Sequence, residues 1–532
     1  MATETGTKVG NIVGYQVRLD SVPPRHVASI LYCTTGVLVQ RLQSDKHLDQ
    51  FTHVIIDEIH ERDVLADILL VIIKQILPQR PDLKVVLMSA TLNASKFSNY
   101  MNNCETLHVP GFMFPVDVYY LEDVFEMTNH QLDKRENDHN NNNEPLAISR
   151  DQVDGLVAEK NLSKRTAYNL LHPLSEEMNL DLMADIIIYI HERKPPGAIL
   201  VFVPGWDEIS SLTNIVAGLE SAVILPLHGS MSGSDQRKIF QPSQTGFRKI
   251  IIATNIAESS VTINDIVYVV DCGKAKMKKY DVKNNYDTLQ IDWISQANAK
   301  QRMGRAGRLR NGEVYKIYTK AKEETFTDFM IPEITRCRLE NVILKLKVLG
   351  FDSVDGFFNQ LMDIPDEQSI AKACQTLIDI GALSKDGKEL TGLGTTLGQI
   401  PSDPRLGKMM ILGAAFSCLD PILSVVTYLE YKSPFVTSSK MTELTGSVDR
   451  MSSGTMSDHL TVANVMAAWD GLNSKGGQAK VYGVQDFTKH NFLSPGILFT
   501  LDKMKKQLAA ELFKIGLIKS PNMKVYNNLV SI

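Results

Sequence analysis

The chain has 532 residues, 44% hydrophobic and 22% charged, enough apolar material for three or four packed domains. Its net charge of -5 excludes a uniformly basic nucleic-acid coat but allows a local basic surface. Cys33, Cys104, Cys272, Cys337, Cys374 and Cys418 are scattered, without C-x-x-C spacing or a companion histidine cluster. Neither a zinc site nor a disulfide framework is therefore indicated, and reduced intracellular thiols are expected.

In chain order, Met1 to Gly10 is polar, unlike a secretory signal. From Val27 to Val109 short β-rich runs alternate with helical stretches, with strands expected at Ser29 to Cys33, His53 to Ile56 and Val85 to Met88, the pattern of a parallel α/β layer. Met127 to Asn161, with Asn140 to Asn143 inside it, lacks an apolar period and reads as a linker or surface insertion. A second α/β layer follows, with strands at Ile199 to Val203, Ala222 to Leu227, Lys249 to Ala253 and Ile266 to Val270. Lys274, Lys276, Lys278 and Lys279 precede Asn284-Asn285, whose turn preference suits a hairpin; the lysines either follow a nucleic-acid backbone or form an ordinary solvated face. Beyond Pro332 helical patterns dominate, at Arg338 to Leu349 and Ser369 to Ile380, and Lys388 to Ile400 reads as a wing and closing helix. Pro401 to Pro404 breaks the chain before a mainly helical end. The longest apolar runs, Ile68 to Leu77 and Met409 to Leu429, are interrupted by Lys74 and by Asp420-Pro421 and read as buried helices rather than membrane spans.

Four segments carry chemistry. Asp57-Glu58-Ile59-His60 follows a strand directly, so two carboxylates stand at the carboxyl edge of a parallel sheet. There Asp57 can hold Mg²⁺ through its water shell while Glu58 orients and deprotonates an attacking water; an acidic cap for the helix after Asp63 is the alternative. Ser89-Ala90-Thr91 ends the next strand and reads either as a turn or as hydroxyls bonding across to the carboxylates. Thr254 to Ser260, after another strand, offers hydroxyls and amides for phosphate and ribose. In Gln301 to Arg308 three arginines stand at helical spacing, and Gly304 and Gly307 remove bulk so that guanidinium groups approach phosphate oxygens. A plain basic helix would gain nothing from two glycines.

The ordered set Asp57-Glu58-Ile59-His60, Ser89-Ala90-Thr91, Thr254 to Ser260 and Gln301 to Arg308 resembles the DEAH-box/RNA helicase A family of superfamily two helicases. Thr34-Thr35-Gly36 resembles its RNA-backbone motif, with Thr35 where many members carry aspartate, and Ile59 replaces the usual alanine; both departures point to the RNA helicase A branch. Pro110-Gly111-Phe112, Leu200 to Trp206 and Asp403-Pro404-Arg405 resemble most the sub-branch that unwinds G-quadruplexes and binds AU-rich elements.

The resemblance implies ATP and Mg²⁺ as cofactors. It makes Glu58, Gln301, Arg305 and Arg308 the catalytic residues, with the two arginines as fingers on the γ-phosphate, and gives His60, Ser89 and Thr91 the coupling of hydrolysis to lobe movement. Phe240 would stack on adenine, unless it is a core phenylalanine, and Asn264 stands where many members have an aspartate beside the nucleotide. Thr34, Gly36, Gly205, Thr254 and Asn255 would contact RNA. The implied partners are RNA, with G-quadruplex RNA or DNA among the substrates, and activating proteins; no membrane is implied, and nucleus and cytoplasm are the expected locations.

The implied fold class is α/β: two RecA-like lobes, the first incomplete, then winged-helix and helical ratchet domains. The boundaries read as 1–126 for the first lobe, 127–175 for the linker, 176–331 for the second lobe with a hairpin near 274–290, 332–400 for the winged helix and 401–532 for the ratchet, without the OB-fold.

A P-loop needs G-x-x-x-x-G-K-[ST], and the sequence holds no such run. Family members place it before the equivalent of Gly14 to Arg18, so a fragment, a short isoform or an incomplete gene model is expected. Two functions stand: a three-prime to five-prime RNA helicase whose P-loop lies elsewhere, or a binding module that holds RNA without turnover.

Overall fold

The structure is a computed structural model and describes residues 1–17, 20–90, 94–111, 113–132, 146–229, 231, 236–242, 245–258, 263–436, 441–473 and 477–521, the side chains of 441–444 and 477–481 excepted. Thr91, Phe112, Asn140 to Asn143, Ser259 and Ser260 lie outside the described residues. The chain divides into two compact units, Met1–Lys46 with Arg338–Ile532, and His47–Cys337.

In the first unit, strands β1 (Val13–Val17), β2 (Asp20–Val22) and β3 (Ile30–Cys33) form a sheet ordered β2-β1-β3, with β1 and β3 parallel. Only β3 is anticipated from sequence; β1 does alternate, with Val13, Tyr15 and Val17 set against Gly14 and Gln16, a signal the reading missed, and β2 is three residues with one apolar side chain. Thr34 starts the helix Thr35–Arg41. Further on, the helices Glu340–Val348, Glu367–Asp379 and Gly392–Gln399 form a module, and an antiparallel bridge between Leu383 and Leu390 makes the expected wing. The break at Pro401 to Pro404 ends in a helix start: the Asp403 side chain accepts from the Arg405 amide at 2.9 Å, and Pro404 occupies the first turn, where no intrahelical donor is needed.

Met409 to Leu429, expected as one buried helix, is two, Pro404–Ala415 and Leu419–Glu430. Between them Ser417 takes φ 57, and Pro421 falls in the first turn of the second helix. Lys505, on the helix Pro495–Lys514, is buried between the carboxylates of Asp420 (2.7 Å) and Asp470 (3.0 Å) and ties three helices together. Among the described residues no helix is long and apolar enough to cross a membrane.

The second unit holds the chemistry. β4 (His53–Ile56) and β5 (Lys84–Leu87) pair in parallel, with Ile56 opposite Leu87. The helix Val64–Ile76 lies between them in sequence, and its Ile68, Leu69, Leu70 and Ile73 are fully buried.

A parallel sheet of six strands follows, comprising β6 (Val116–Tyr119), β7 (Ala198–Phe202), β8 (Ala222–Leu227), β9 (Arg248–Ala253) and β10 (Ile266–Asp271), and, after the hairpin strands β11 (Lys274–Asp281) and β12 (Tyr286–Trp293), β13 (Gly312–Lys316). Its order is β6-β13-β10-β7-β9-β8. Covered on both faces, the central strands are continuously apolar, and their side chains still alternate. Ile199 and Val201 join one core; Ala198, Leu200 and Phe202 join the other.

Residues 116–119, read as part of the first lobe, are the edge strand of this sheet, with Val116 opposite Gly312. β6 and β13 escape the sequence reading because each mixes charged or polar residues with apolar ones. The expected linker also departs from its reading. Ser149 caps the helix Arg150–Lys160 through a reciprocal bond with Gln152, the helix Lys164–Leu170 follows, and Leu132, Ile148, Val153, Leu162 and Leu170 enter the sheet's core. The first of these helices does carry apolar residues at helical spacing, since Leu156 and Val157 pack against the same core beside Val153, and the reading missed them.

Candidate active site at the strand ends

Beyond β4 the backbone turns sharply. Ile59 is buried and its amide donates to the Met88 carbonyl at 3.1 Å, which plugs the turn into the core and leaves Glu58 and His60 at the sheet edge. Glu58 takes φ 52, a left-handed conformation that costs a non-glycine residue about 1 kcal/mol. Such strain concentrates at functional positions. Asp57 accepts the Glu58 amide at 2.9 Å. The cap role belongs to Asp63 instead, whose carboxylate accepts from the Leu65 and Ala66 amides at 3.0 Å. Asp57 and Glu58 are thus not the cap of the following helix.

His60 joins three groups. Its Nδ1 accepts from the Ala90 amide at 3.4 Å and lies 3.5 Å from the Glu58 carboxylate, and its Nε2 is 2.6 Å from the Gln301 side-chain amide. The Gln301 atom in this contact is the side-chain nitrogen, and the direction of the bond follows the tautomer of the ring. Ser89 is exposed at the end of β5, next to this contact.

The opposing side is built on the helix Gln296–Met303. The arginines do not share its face as expected: the helix ends at Met303, Gly304 caps it, and Arg305 and Arg308 lie in the turns beyond. Gly307 serves close backbone packing rather than arginine access, since a Cβ there would stand 2.6 Å from the Phe114 carbonyl oxygen, beside the bond from the Phe114 amide to the Gly307 carbonyl. Gly307→Ala is expected to cost about 1–3 kcal/mol, read as a lowered thermal midpoint.

Arg302 turns inward. It is 1% exposed, paired with Glu258 (3.1 Å) and Asp271 (2.7 Å), and stacked over Phe202 at 4.8 Å, while the Tyr318 hydroxyl donates to Asp271 at 3.0 Å. Burial alone would lower its pKa; Asp271 and Glu258 reverse that and hold it charged. The sequence reading missed this network. Its signal was present in Glu258, inside a run read only for its hydroxyls and amides. Glu258 also accepts from Asn298, and its carbonyl accepts from the Arg305 guanidinium.

Arg305 is thereby held, nearly buried, close enough to Glu58 for each to act on the other's ionisation. Burial, with Arg308 beside it, pushes Arg305 down to about 10 against the pull of Glu258 and Glu58. Burial pushes the Glu58 carboxyl above the ordinary range; His60 and Arg305 pull it down, and Asp57 and Glu61 add to the rise. Burial also lowers Arg308.

The remaining residues are distributed. Phe240 is 51% exposed, so it is not a core phenylalanine. Buried Lys249 donates to the Ile239 and Gln241 carbonyls on either side of it and pairs with Asp265 at 2.8 Å, so one amine ties the turn of Phe240 to the loop of exposed Asn264. Thr254 is buried and Asn255 exposed at the end of β9, and Gly205 starts the helix Trp206–Val216. Thr34 and Gly36 belong to the other unit, where Thr34 is exposed and its hydroxyl makes no cap bond. In the hairpin Lys276 pairs with Asp207 and Glu208, Lys278 with Asp287 and Lys279 with Asp292. Three of the four lysines are thus paired within the protein, and Lys274 lies over the Trp293 ring at 4.5 Å.

Comparison with known proteins agrees with this layout. Residues 1–99 match the DEAD/DEAH box helicase family, residues 179–310 the helicase conserved C-terminal domain, and residues 403–462 the ratchet-like helicase associated domain (HA2). The chain is similar to the ATP-dependent DNA/RNA helicase DHX36 of Bos taurus, 40% identical over 536 residues that cover 96% of this chain and 52% of the relative. The DHX36 of Homo sapiens is 39% identical, covering 97% and 53%. The DExH-box ATP-dependent RNA helicase DExH3 of Arabidopsis thaliana is 39% identical, covering 97% and 44%. The chain spans about half the length of the curated relatives it matches. Three domain matches in this order, with such identity along nearly all of its length, lead to one assignment: the chain belongs to the DEAH-box RNA helicase family, with RecA-like lobes and a ratchet-like helical domain.

Proposed function

We propose that this protein is an ATP-dependent RNA helicase that hydrolyses ATP with magnesium and moves three-prime to five-prime along RNA, with G-quadruplexes among its substrates. The observation that carries the reading is the 2.6 Å contact of Gln301 with His60 at the strand ends, with Arg305 within electrostatic reach of Glu58. In this reading Glu58 takes the proton of the attacking water, and Gln301 orients that water. Arg305 and Arg308, desolvated before the substrate arrives, donate to the γ-phosphate as its charge spreads. His60, Ser89 and Thr91 transmit the event.

Magnesium is held by one or two carboxylates together with phosphate oxygens and water. The exposed Asp57 at the end of β4 fits that need, with Glu58 next to it; the ion when bound would neutralise phosphate charge. Phe240 and Asn264 would flank the nucleotide, and Thr34, Gly36, Gly205, Thr254 and Asn255 would touch RNA. The relatives are named as RNA helicases, two of them also as DNA helicases, which supports both nucleic acids as partners. Activating proteins and residence in nucleus and cytoplasm belong to the same proposal.

RNA-stimulated ATP hydrolysis is the test. Because the folded protein raises the Glu58 pKa, hydrolysis should fall on acidification with a midpoint above the ordinary carboxylate range, as the base gains its proton. A flat acid limb would remove Glu58 from the role of base. Measurable RNA affinity with no hydrolysis by the purified chain would overturn this reading in favour of an RNA-binding module.

A further inference from the structure

Residues 331–336 form a short segment tied at both ends and within itself. The turn Glu333–Thr335 is closed by the Thr335 amide and hydroxyl donating to the Pro332 carbonyl (3.2 and 2.9 Å), and by the Arg336 amide donating to the Glu333 carbonyl (3.0 Å). The Arg336 Nε also donates back to the Ile331 carbonyl at 3.2 Å, and Ile334 is fully buried. With so many internal bonds the segment moves as one body.

One end grips the loop after β4. The Glu333 amide donates to the Arg62 carbonyl at 3.1 Å, and its carboxylate accepts from the Val64 amide at 3.3 Å. Arg62 is itself locked by a two-point ion pair to Asp67 (2.7 and 3.1 Å), two residues beyond His60. The other end grips the hairpin: Arg336 Nη1 donates to the Lys278 carbonyl at 2.8 Å, and the Tyr280 amide donates to the Arg336 carbonyl at 3.0 Å. The Arg336 guanidinium thus bridges the segment's own start and β11. A cavity of about 260 Å³, lined by His60, Arg62, Lys96, Phe97, Phe329 and Ile331, borders the segment and leaves room for displacement that close packing would forbid.

We infer that residues 331–336 are a strap coupling the Glu58–Arg62 loop to the hairpin, with Glu333 and Arg336 as its positioning residues. The loop's hydrolytic role rests on the function proposed above; the mechanical coupling does not. A displacement of the loop during turnover is passed through Arg62, Glu333 and Arg336 to β11, and a push on the hairpin returns by the same bonds.

Amide hydrogen exchange of the purified chain tests this without requiring hydrolysis, so a chain that turns over no ATP still gives an answer. Glu333→Ala should speed exchange in residues 59–66 and, remotely, in β11, each by roughly tenfold, while β7 stays unchanged. Glu333→Gln keeps an acceptor for the Val64 amide and should restore slow exchange at both places. Arg336→Ala should act in the opposite direction, loosening β11 and residues 59–66 together. Should that variant also loosen β7, Arg336→Lys, which retains charge but replaces the two separate nitrogens, Nε and Nη1, that reach the Ile331 and Lys278 carbonyls with one ammonium, gives the reading, with the same remote effect expected. Variants that each loosen only their own end, or remote exchange unchanged in both Glu333→Ala and Arg336→Lys, would overturn the strap.

Discussion

Glu58→Gln is expected to lower RNA-stimulated ATP hydrolysis by about 10²–10⁴-fold while leaving RNA affinity within a factor of two or so. The substitution keeps size and hydrogen-bonding reach but removes the lone pair that can take a proton at working pH. Its surroundings make the position sensitive. Glu58 is partly desolvated, which raises its basicity, and it lies beside His60 and Arg305, which keep the ionised form accessible. Because the left-handed turn is held by buried Ile59 rather than by the carboxylate, the variant should fold unchanged. Steady-state hydrolysis and filter binding on the same preparation separate the two effects. Activity retained within tenfold of wild type would place the base elsewhere.

Arg302→Met is expected to be the most destabilising single change in this unit, by about 3–5 kcal/mol, because it leaves the carboxylates of Glu258 and Asp271 buried without a counter-ion. Asp271 is 1% exposed and Glu258 5%, so water cannot take over the lost contacts. Urea denaturation followed by circular dichroism reads the effect as a lowered midpoint of this unit's transition. A shift worth less than about 1 kcal/mol would show that the carboxylates find protons or new partners at small cost. The same change should disturb Arg305, since Glu258 holds both arginines, one by its carboxylate and the other by its carbonyl. A variant whose folded fraction loses arginine-dependent hydrolysis would be the consequence of that shared anchor.

The sheet strands at 198–202 and 266–271 were legible because strands buried on both faces must be continuously apolar, and the carboxylates after 53–56 were legible because parallel strands deliver the residues after them to one edge. Strands 116–119 and 312–316 were not, because each mixes charged or polar residues with apolar ones. The helix at 150–160 does carry an apolar stripe, Val153, Leu156 and Val157, but it is only one turn long within a polar segment, and the helix at 164–170 is too short to show a period.

Roles set by distant partners also escaped. Three arginines in eight residues look alike in sequence, yet Arg302 is turned inward by Glu258 and Asp271 while Arg305 donates to the Glu258 carbonyl within electrostatic reach of Glu58. The hairpin lysines read in sequence as either a nucleic-acid track or a solvated face, and only in space do Lys276, Lys278 and Lys279 meet aspartate partners, up to about seventy residues away in sequence. Chain order, spacing and residue type by themselves determined the family and the chemistry available at the strand ends, because local backbone geometry carries those side chains to one edge. Which charge is paired, which is buried and which is left to face a phosphate was decided only by the tertiary structure. Burial and counter-ions depend on contacts between segments far apart in sequence, and those contacts set the energy of every ionised group.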